Sequence, residues 1–187
     1  ECNRIGIANV IGSSKDSNYT YIPNVYEQDI NSEYLHITSN NTIYGTQYNV
    51  LPEVSQGHGP LIADMSSDIL SRPIDIGKFG LIYAGAQKNM GPAGVTMVII
   101  KDDLIGKNYR DIPSMLNYET HVEKRSMFNT PPVSSVFAVN ETLKWIEGLG
   151  GLAEMEKINR EKSEKLYHEI ERNTLFASLI NIDDGSM

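Results

Sequence analysis

The 187-residue sequence is poor in cysteine, in basic residues and in long apolar runs, and each shortage excludes a class of protein. Its one cysteine, Cys2, leaves no internal disulfide and no Cys-x-x-Cys pair for zinc or redox chemistry. The 16 Lys+Arg against 24 Asp+Glu give a formal charge of −8, whereas a nucleic-acid backbone is bound by clustered positive charge. Apolar runs stay far below the ~20 residues of a membrane-spanning helix. We therefore expect no nucleic-acid or membrane partner, and the single cysteine favours a cytoplasmic location.

The length fits one ordinary domain, since typical domains have roughly 100–200 residues. An apolar fraction of 40% is enough to build a sizeable core. The first residue is Glu1 and not methionine, and residues 181–187 follow closely on an apolar run. These two ends indicate a fragment or a partly observed chain.

Five short apolar segments predict β-strands, and polar or glycine residues follow each of them. Such strands, apolar on both faces, are typical of an α/β fold in which helices cover both sides of a sheet. The predicted strands span residues 5–11, 34–38, 61–63, 80–84 and 95–100.

Two helices are predicted in the second half of the chain. Residues 134–147 carry apolar side chains at spacings of three and four, and the glycines at 148, 150 and 151 end this helix. Trp145 on that helix is expected in the core. Residues 152–172 form a second, longer helix rich in Glu/Lys pairs. Residues 176–182 resemble the start of a further strand.

Three predicted strand ends carry groups with possible chemistry, namely Thr42, Asp64 and Lys88. Ligands of such sheets bind at the carboxyl ends of the strands. Lys88 lies among small residues, and a lysine amine partly withdrawn from water becomes nucleophilic and able to form a Schiff base. Taken alone, Lys88 fits a solvated loop lysine and Asp64 fits a turn former or helix cap, both of which are commoner. Together they meet the needs of pyridoxal phosphate, whose carbonyl requires an amine and whose ring nitrogen requires a carboxylate.

Four longer segments resemble the phosphoserine aminotransferases, a family of class-V pyridoxal-phosphate-dependent aminotransferases of fold type I. The resemblance extends through nearly the whole chain and is weakest after about residue 173. The segments are TSNNTIYG at 38–45, ADMSSDILSRPID at 63–75, GLIYAGAQKNMGPAG at 80–94 and FNTPP at 128–132.

The resemblance implies a homodimer of aspartate-aminotransferase-like subunits, each with a large three-layer α/β domain, a mostly parallel sheet and a smaller C-terminal domain. Residues 1–153 would belong to the large, cofactor-binding domain. Residues 154–187 would form a long connecting helix and the start of the small domain. The family's glycine-rich phosphate turn and its ring-stacking aromatic would precede Glu1. Its substrate-binding arginines would lie upstream, or downstream of Met187, so the fragment by itself is expected to be inactive.

The resemblance also implies the roles of four cofactor-binding residues. Lys88 would hold pyridoxal 5′-phosphate as an internal aldimine, and Asp64 would pair with the pyridinium nitrogen. Thr42 would hydrogen-bond near the ring hydroxyl, and Gln87 would contact the phosphate. Asn41 replaces the acidic residue that the family usually has there, but the contact is carried by Thr42.

Asn129 and Thr130 resemble the pair that reaches the cofactor phosphate of the other subunit, which would make each active site shared across the dimer. The same segment also fits a turn followed by a helix start, and a helix start can itself bind phosphate. Ser66 and Ser67 could support Asp64 or cap a helix. The four histidines have no metal-ligand spacing, and no metal is expected.

The implied reaction transfers the amino group of glutamate to 3-phosphohydroxypyruvate, which gives O-phosphoserine and 2-oxoglutarate in L-serine biosynthesis. Two alternatives remain open. The chain could belong to another fold-type I aminotransferase, such as one acting on serine and glyoxylate, or it could be a non-catalytic fragment.

Overall fold

The centre of the computed structural model, which describes residues 2–24 and 27–187, is a four-stranded sheet in the order β1-β4-β5-β6. Strands β1 (Leu35–Thr38), β4 (Leu61–Asp64) and β5 (Phe79–Gly85) are parallel, and β6 (Thr96–Ile100) is antiparallel to β5. Parallel neighbours need long connections, whereas an antiparallel neighbour can follow a short loop. The predicted α/β class with a mostly parallel sheet is thus confirmed, and its cover of helices on both faces stays a prediction.

A small hairpin and three α-helices complete the main elements of the described residues. The hairpin pairs β2 (Asn40–Asn41) with β3 (Thr46–Gln47), and its turn carries Thr42. Helix α1 spans Tyr118–Glu123, α2 spans Val133–Leu149 and α3 spans Leu152–Arg172. Gly150 ends α2 with a φ of 111°, a left-handed conformation that favours glycine. Short 3₁₀ helices lie at Cys2–Arg4, Lys15–Ser17, Ile76–Lys78, Asp102–Leu104, Ser114–Leu116 and Ile182–Asp184.

The main hydrophobic cluster lies on one face of the sheet, to which alternate residues of each strand point. Leu35 and Ile37 of β1 and Leu61 and Ala63 of β4 are buried together. Val139 of α2 and Met90 of the turn after β5 belong to the same cluster. On the opposite face of β1, His36 and Thr38 are exposed. Within the described ranges, none of the helices is both long and apolar enough to cross a membrane.

Three expectations from the sequence are wrong. Residues 5–11 and 176–182 form no strand, although both segments are rich in apolar residues. Ile5 is 78% exposed, and neither segment pairs with a strand among the described residues. An extended segment becomes part of a sheet only when its backbone groups pair with those of a neighbouring strand. Trp145 is 56% exposed because it lies on the outer side of α2, away from the buried Val139 and Ile146.

A buried acid, Asp68, ties the β2–β3 hairpin to the turn that follows β4. The Asp68 carboxylate accepts hydrogen bonds from Ser39 Oγ and from Gln47 Nε2, the latter at 3.1 Å. Asp68 is only 4% exposed. Burial raises the pKa of the Asp68 carboxyl, while these hydrogen bonds and the charge of Arg72 oppose that rise. Because Ser39 directly precedes β2 and Gln47 ends β3, Asp68 fixes the base of the hairpin that presents Thr42.

Replacing Leu61 by alanine is expected to destabilise the fold by about 2–5 kcal/mol, because a cavity would open in the core. Leu61 is 1% exposed, whereas Leu179 is 81% exposed and offers the same substitution as a control. The Leu179→Ala variant should lie within about 0.5 kcal/mol of the wild type. Urea-induced unfolding of both variants measures the difference, and equal effects would contradict the placement of the core.

The raised pKa of Asp68 predicts a pH-dependent contribution to stability. The folded state retains the Asp68 proton to a higher pH than the unfolded state, so the contribution is full below the unfolded-state pKa and is lost as the pH rises through the folded-state pKa. The substitution Asp68→Asn keeps a polar side chain of the same shape and removes the charge. The stability of this variant relative to the wild type should therefore increase with pH, by roughly 1 kcal/mol per pH unit inside that window. Urea midpoints measured from acid to neutral pH test this, and a pH-independent difference would refute it.

Candidate active site

The side chains of Lys88 and Thr42, 46 residues apart in the sequence, meet at the carboxyl edge of the sheet. Lys88 Nζ donates a hydrogen bond to Thr42 Oγ1 at 2.5 Å. Both residues are exposed, so the amine is accessible to a ligand. The contact brings two of the predicted cofactor-binding residues together.

The turn that carries Lys88 is held by backbone bonds and by burial on either side. The amides of Met90 and Gly91 both donate to the carbonyl of Ala86, at 3.0 and 2.9 Å, and the amide of Ala86 donates to the carbonyl of Val95. Ala86 and Met90 are both fully buried. The exposed Lys88 therefore projects from a turn whose two ends are anchored in the core.

Asp64, the last residue of β4, lies half-buried at the same edge. Its Oδ1 accepts hydrogen bonds from the Ser66 amide at 2.9 Å and from Ser66 Oγ at 2.6 Å. Within the described residues, Oδ2 receives no hydrogen bond. In the parallel register Asp64 stands between Thr38 of β1 and Tyr83 of β5. The carboxylate is thus held on one side and open on the other.

His36 and Tyr83 lie on the same face of the sheet as Asp64. Their atoms His36 Nε2 and Tyr83 Oη are 3.0 Å apart, and their rings are stacked. Burial lowers the pKa of His36, and the nearby negative charge of Asp64 opposes that change. The pair therefore places polar groups beside the Asp64 carboxylate.

Gln87 is exposed, and its amide lies against the backbone of Gly85. A Cβ at Gly85 would come within 2.5 Å of Gln87 Oε1, so a side chain there would displace this amide. Small residues at this point keep the approach to Gln87 and Lys88 open.

Asn129 and Thr130 lie in the exposed segment before α2. Asn129 Nδ2 lies 2.9 Å from Met115 Sδ, and no hydrogen bond in the described ranges joins either residue to Lys88, Thr42 or Asp64. Ser135 Oγ donates to the carbonyl of Ala93 at 3.1 Å, which anchors the start of α2 on the loop after Lys88.

Ser66 contacts Asp64, whereas Ser67 contacts Asn40. Ser67 Oγ accepts a hydrogen bond from Asn40 Nδ2 and donates one to the Asn40 carbonyl, both at 2.9 Å. Neither serine caps a helix, because residues 66–70 form turns.

Sequence reasoning missed the His36–Tyr83 pair. The strand register would have found it, since Tyr83 is the register partner of Asp64 and His36 shares a face with Thr38. In the part of the chain that the structure describes, no three His, Cys, Asp or Glu residues are grouped as metal ligands.

Comparisons with known proteins show the family. The family model "Aminotransferase class-V" matches residues 8–182. The phosphoserine aminotransferase of Flavobacterium johnsoniae is 52% identical over 186 residues, which are 100% of this chain and 51% of that protein. The one of Parabacteroides distasonis is 53% identical over 187 residues, or 100% of this chain and 52% of that protein. The chain thus spans about half the length of the curated relatives it matches.

Solved structures show the same likeness. The phosphoserine aminotransferase from Bacillus circulans subsp. alkalophilus has a TM-score of 0.92 at 46% identity, covering 98% of this chain and 51% of that one. The pyridoxal-phosphate-bound phosphoserine aminotransferase from Trichomonas vaginalis has a TM-score of 0.85 at 37% identity, covering 90% and 50%. On the family match and these likenesses together, the chain belongs to the class-V aminotransferase family.

Proposed function

We propose that this chain is part of a pyridoxal-phosphate-dependent phosphoserine aminotransferase. The observation that carries the proposal is the Lys88–Thr42 contact at the sheet edge where Asp64 also ends its strand. It lies within the segment matched by the class-V family. The names of the relatives in Flavobacterium johnsoniae and Parabacteroides distasonis support the choice of reaction.

The residues at this edge fit pyridoxal phosphate. The amine of Lys88 is exposed, and the open Oδ2 of Asp64 offers an acceptor for a protonated ring nitrogen. Gln87 lies beside Lys88 on the accessible side of the turn, which supports its assignment to the phosphate. Thr42 Oγ1 accepts a hydrogen bond from the same amine, which supports its assignment near the ring hydroxyl. When bound, the cofactor supplies an aldehyde and an electron-withdrawing ring.

The side chains of this chain divide the work of transamination. Lys88 would provide the amine that holds the cofactor, and its Nζ would accept a proton from the substrate carbon and return it. Asp64 keeps a proton on the ring nitrogen by its negative charge. Thr42 holds Lys88 Nζ in a defined direction through their hydrogen bond.

The proposed substrates are glutamate and 3-phosphohydroxypyruvate, which exchange an amino group to give 2-oxoglutarate and O-phosphoserine. The residues that bind their carboxylates and phosphate are expected outside this chain, which spans half of its relatives. We also propose that the reaction takes place in the cytoplasm, in keeping with the single cysteine. The division into a large cofactor-binding domain at residues 1–153 and, at residues 154–187, a long connecting helix with the start of the small C-terminal domain is part of the proposal. It falls in the first turn of α3.

We further propose that the active sites are shared across a homodimer. Asn129 and Thr130 are exposed and unconnected to Lys88 in their own subunit, within the described residues, which supports their assignment to the cofactor phosphate of the other subunit. The start of α2 next to them has backbone amides, those of residues 133–135, that find no backbone acceptor within the described residues, which favours an anion.

Lys88→Ala in the full-length protein should abolish transamination, because the cofactor can be held covalently only by an amine. With glutamate as the amino donor, the wild type should aminate 3-phosphohydroxypyruvate much faster than it aminates glyoxylate. The variant should aminate neither acceptor. Lys78→Ala, a lysine of the 3₁₀ helix before β5, is the matched control and should keep wild-type rates. Steady-state assays with both acceptors measure this. Near-normal turnover by Lys88→Ala would refute its role, and a preference for glyoxylate would favour the serine–glyoxylate alternative.

Mixed dimers test the shared site. One subunit carries Lys88→Ala and the other carries Asn129→Ala with Thr130→Ala. If the sites are shared, each mixed dimer regains one intact site, and a random mixture should show about one quarter of the wild-type activity per subunit. If each subunit has its own site, both sites stay defective and mixing restores nothing. Each parent dimer alone serves as the control.

A further inference from the structure

The side chain of Ser66 connects the ends of the two central strands. Its Oγ donates to Asp64 Oδ1 at 2.6 Å and accepts a hydrogen bond from the Gly85 amide at 3.1 Å. Its own amide donates to the same Asp64 oxygen at 2.9 Å. One residue therefore binds both the carboxylate at the end of β4 and the backbone at the end of β5.

The backbone beyond β4 explains why a hydroxyl is needed here. The amide of Met65 still pairs with the carbonyl of Tyr83 at 2.9 Å, as in a parallel ladder. The carbonyl of Met65, however, already accepts from the amides of Asp68 and Ile69 in the following turn, at 3.2 and 2.9 Å. A continued parallel ladder would pair the Gly85 amide of β5 with this carbonyl, but the Gly85 amide donates to Ser66 Oγ.

The direction of the Ser66 proton follows from this arrangement. A serine hydroxyl has one hydrogen to donate and two lone pairs that accept. Because the Gly85 amide occupies an acceptor position, the hydrogen is free to point at Asp64 Oδ1, and the short distance of 2.6 Å fits a bond to a charged carboxylate. Asp64 Oδ1 is thereby committed to Ser66, and rotation of the carboxylate would break two hydrogen bonds.

We propose that Ser66 is a positioning residue for Asp64: it fixes the carboxylate with Oδ1 towards the protein and Oδ2 towards the ring nitrogen of the cofactor. This inference rests on the proposed function. Through Gly85, three residues before Lys88, the same hydroxyl also links the carboxylate to the strand that leads into the lysine turn. Ser66 thus contributes to the placement of Asp64 relative to the turn that carries Lys88.

The test compares variants of the full-length protein reconstituted with pyridoxal phosphate. Ser66→Ala removes the hydroxyl, Ser66→Cys keeps the approximate volume with a weak donor, and Ser66→Thr restores a hydroxyl. Ser67→Ala is the matched control, because Ser67 lies in the same turn but bonds to Asn40. Asp64→Asn serves as the reference for loss of the charge.

Two readouts separate positioning from general stability. The first is the dissociation constant of pyridoxal phosphate, which should rise about tenfold or more in Ser66→Ala and Ser66→Cys, since a hydrogen bond to a charged group is lost. The second is the pH midpoint of the bound cofactor's absorbance, which should shift in the same direction as in Asp64→Asn. Ser66→Thr should stay close to the wild type in both, and Ser67→Ala within about twofold.

The possible outcomes are distinct. If Asp64→Asn changes both readouts while Ser66→Ala and Ser66→Cys change neither, the positioning role is wrong and the proposed function stands. If neither Asp64→Asn nor Lys88→Ala affects cofactor binding, the proposed function itself fails. If Ser66→Ala does not fold, the Ser66→Cys variant decides, and a wild-type spectral midpoint in that variant would overturn the inference.

Discussion

The candidate site depends on the parallel pairing of β4 with β5. This pairing brings the carboxyl ends of the two strands to one edge of the sheet, so that Asp64 ends one strand where the turn carrying Lys88 follows the other. Parallel strands need long connections, and here the connection between them forms the turn that contains Ser66 and Asp68. The residues that place the carboxylate and those that fix the neighbouring loop therefore come from one short segment.

Two polar groups near that edge perform different tasks. Asp68 is buried and holds the hairpin on which Thr42 stands, through Ser39 and Gln47. Ser66 is only partly buried and acts on Asp64 and Gly85. A buried carboxyl group is costly unless its partners satisfy it, so the retention of Asp68 is best explained by the loop that it orders. Thr42 in turn accepts the hydrogen bond from Lys88 Nζ, so the amine is bound to a loop whose base Asp68 fixes.

Much of the fold followed from apolar periodicity, because the strands at 35–38, 61–64 and 79–85 are largely buried, while α2 buries Val139 and Ile146 and α3 buries Met155. The prediction of a strand at residues 5–11 was wrong because apolar periodicity does not reveal whether a partner strand exists. The joint placement of Lys88 and Thr42 was expected from the resemblance, and their direct hydrogen bond is new. The Ser66–Gly85 bond could not be predicted, since it depends on the Met65 carbonyl being used by a turn.

The central claim is that the ε-amine of Lys88 is the group that binds the cofactor. The most direct measurement treats the full-length protein with pyridoxal phosphate, reduces it with borohydride, digests it and maps the modified peptide by mass spectrometry. The account predicts one modified lysine, Lys88, at stoichiometric yield, with Lys78 and Lys101 on the neighbouring segments unmodified. Modification of a different lysine, or of none, would contradict it.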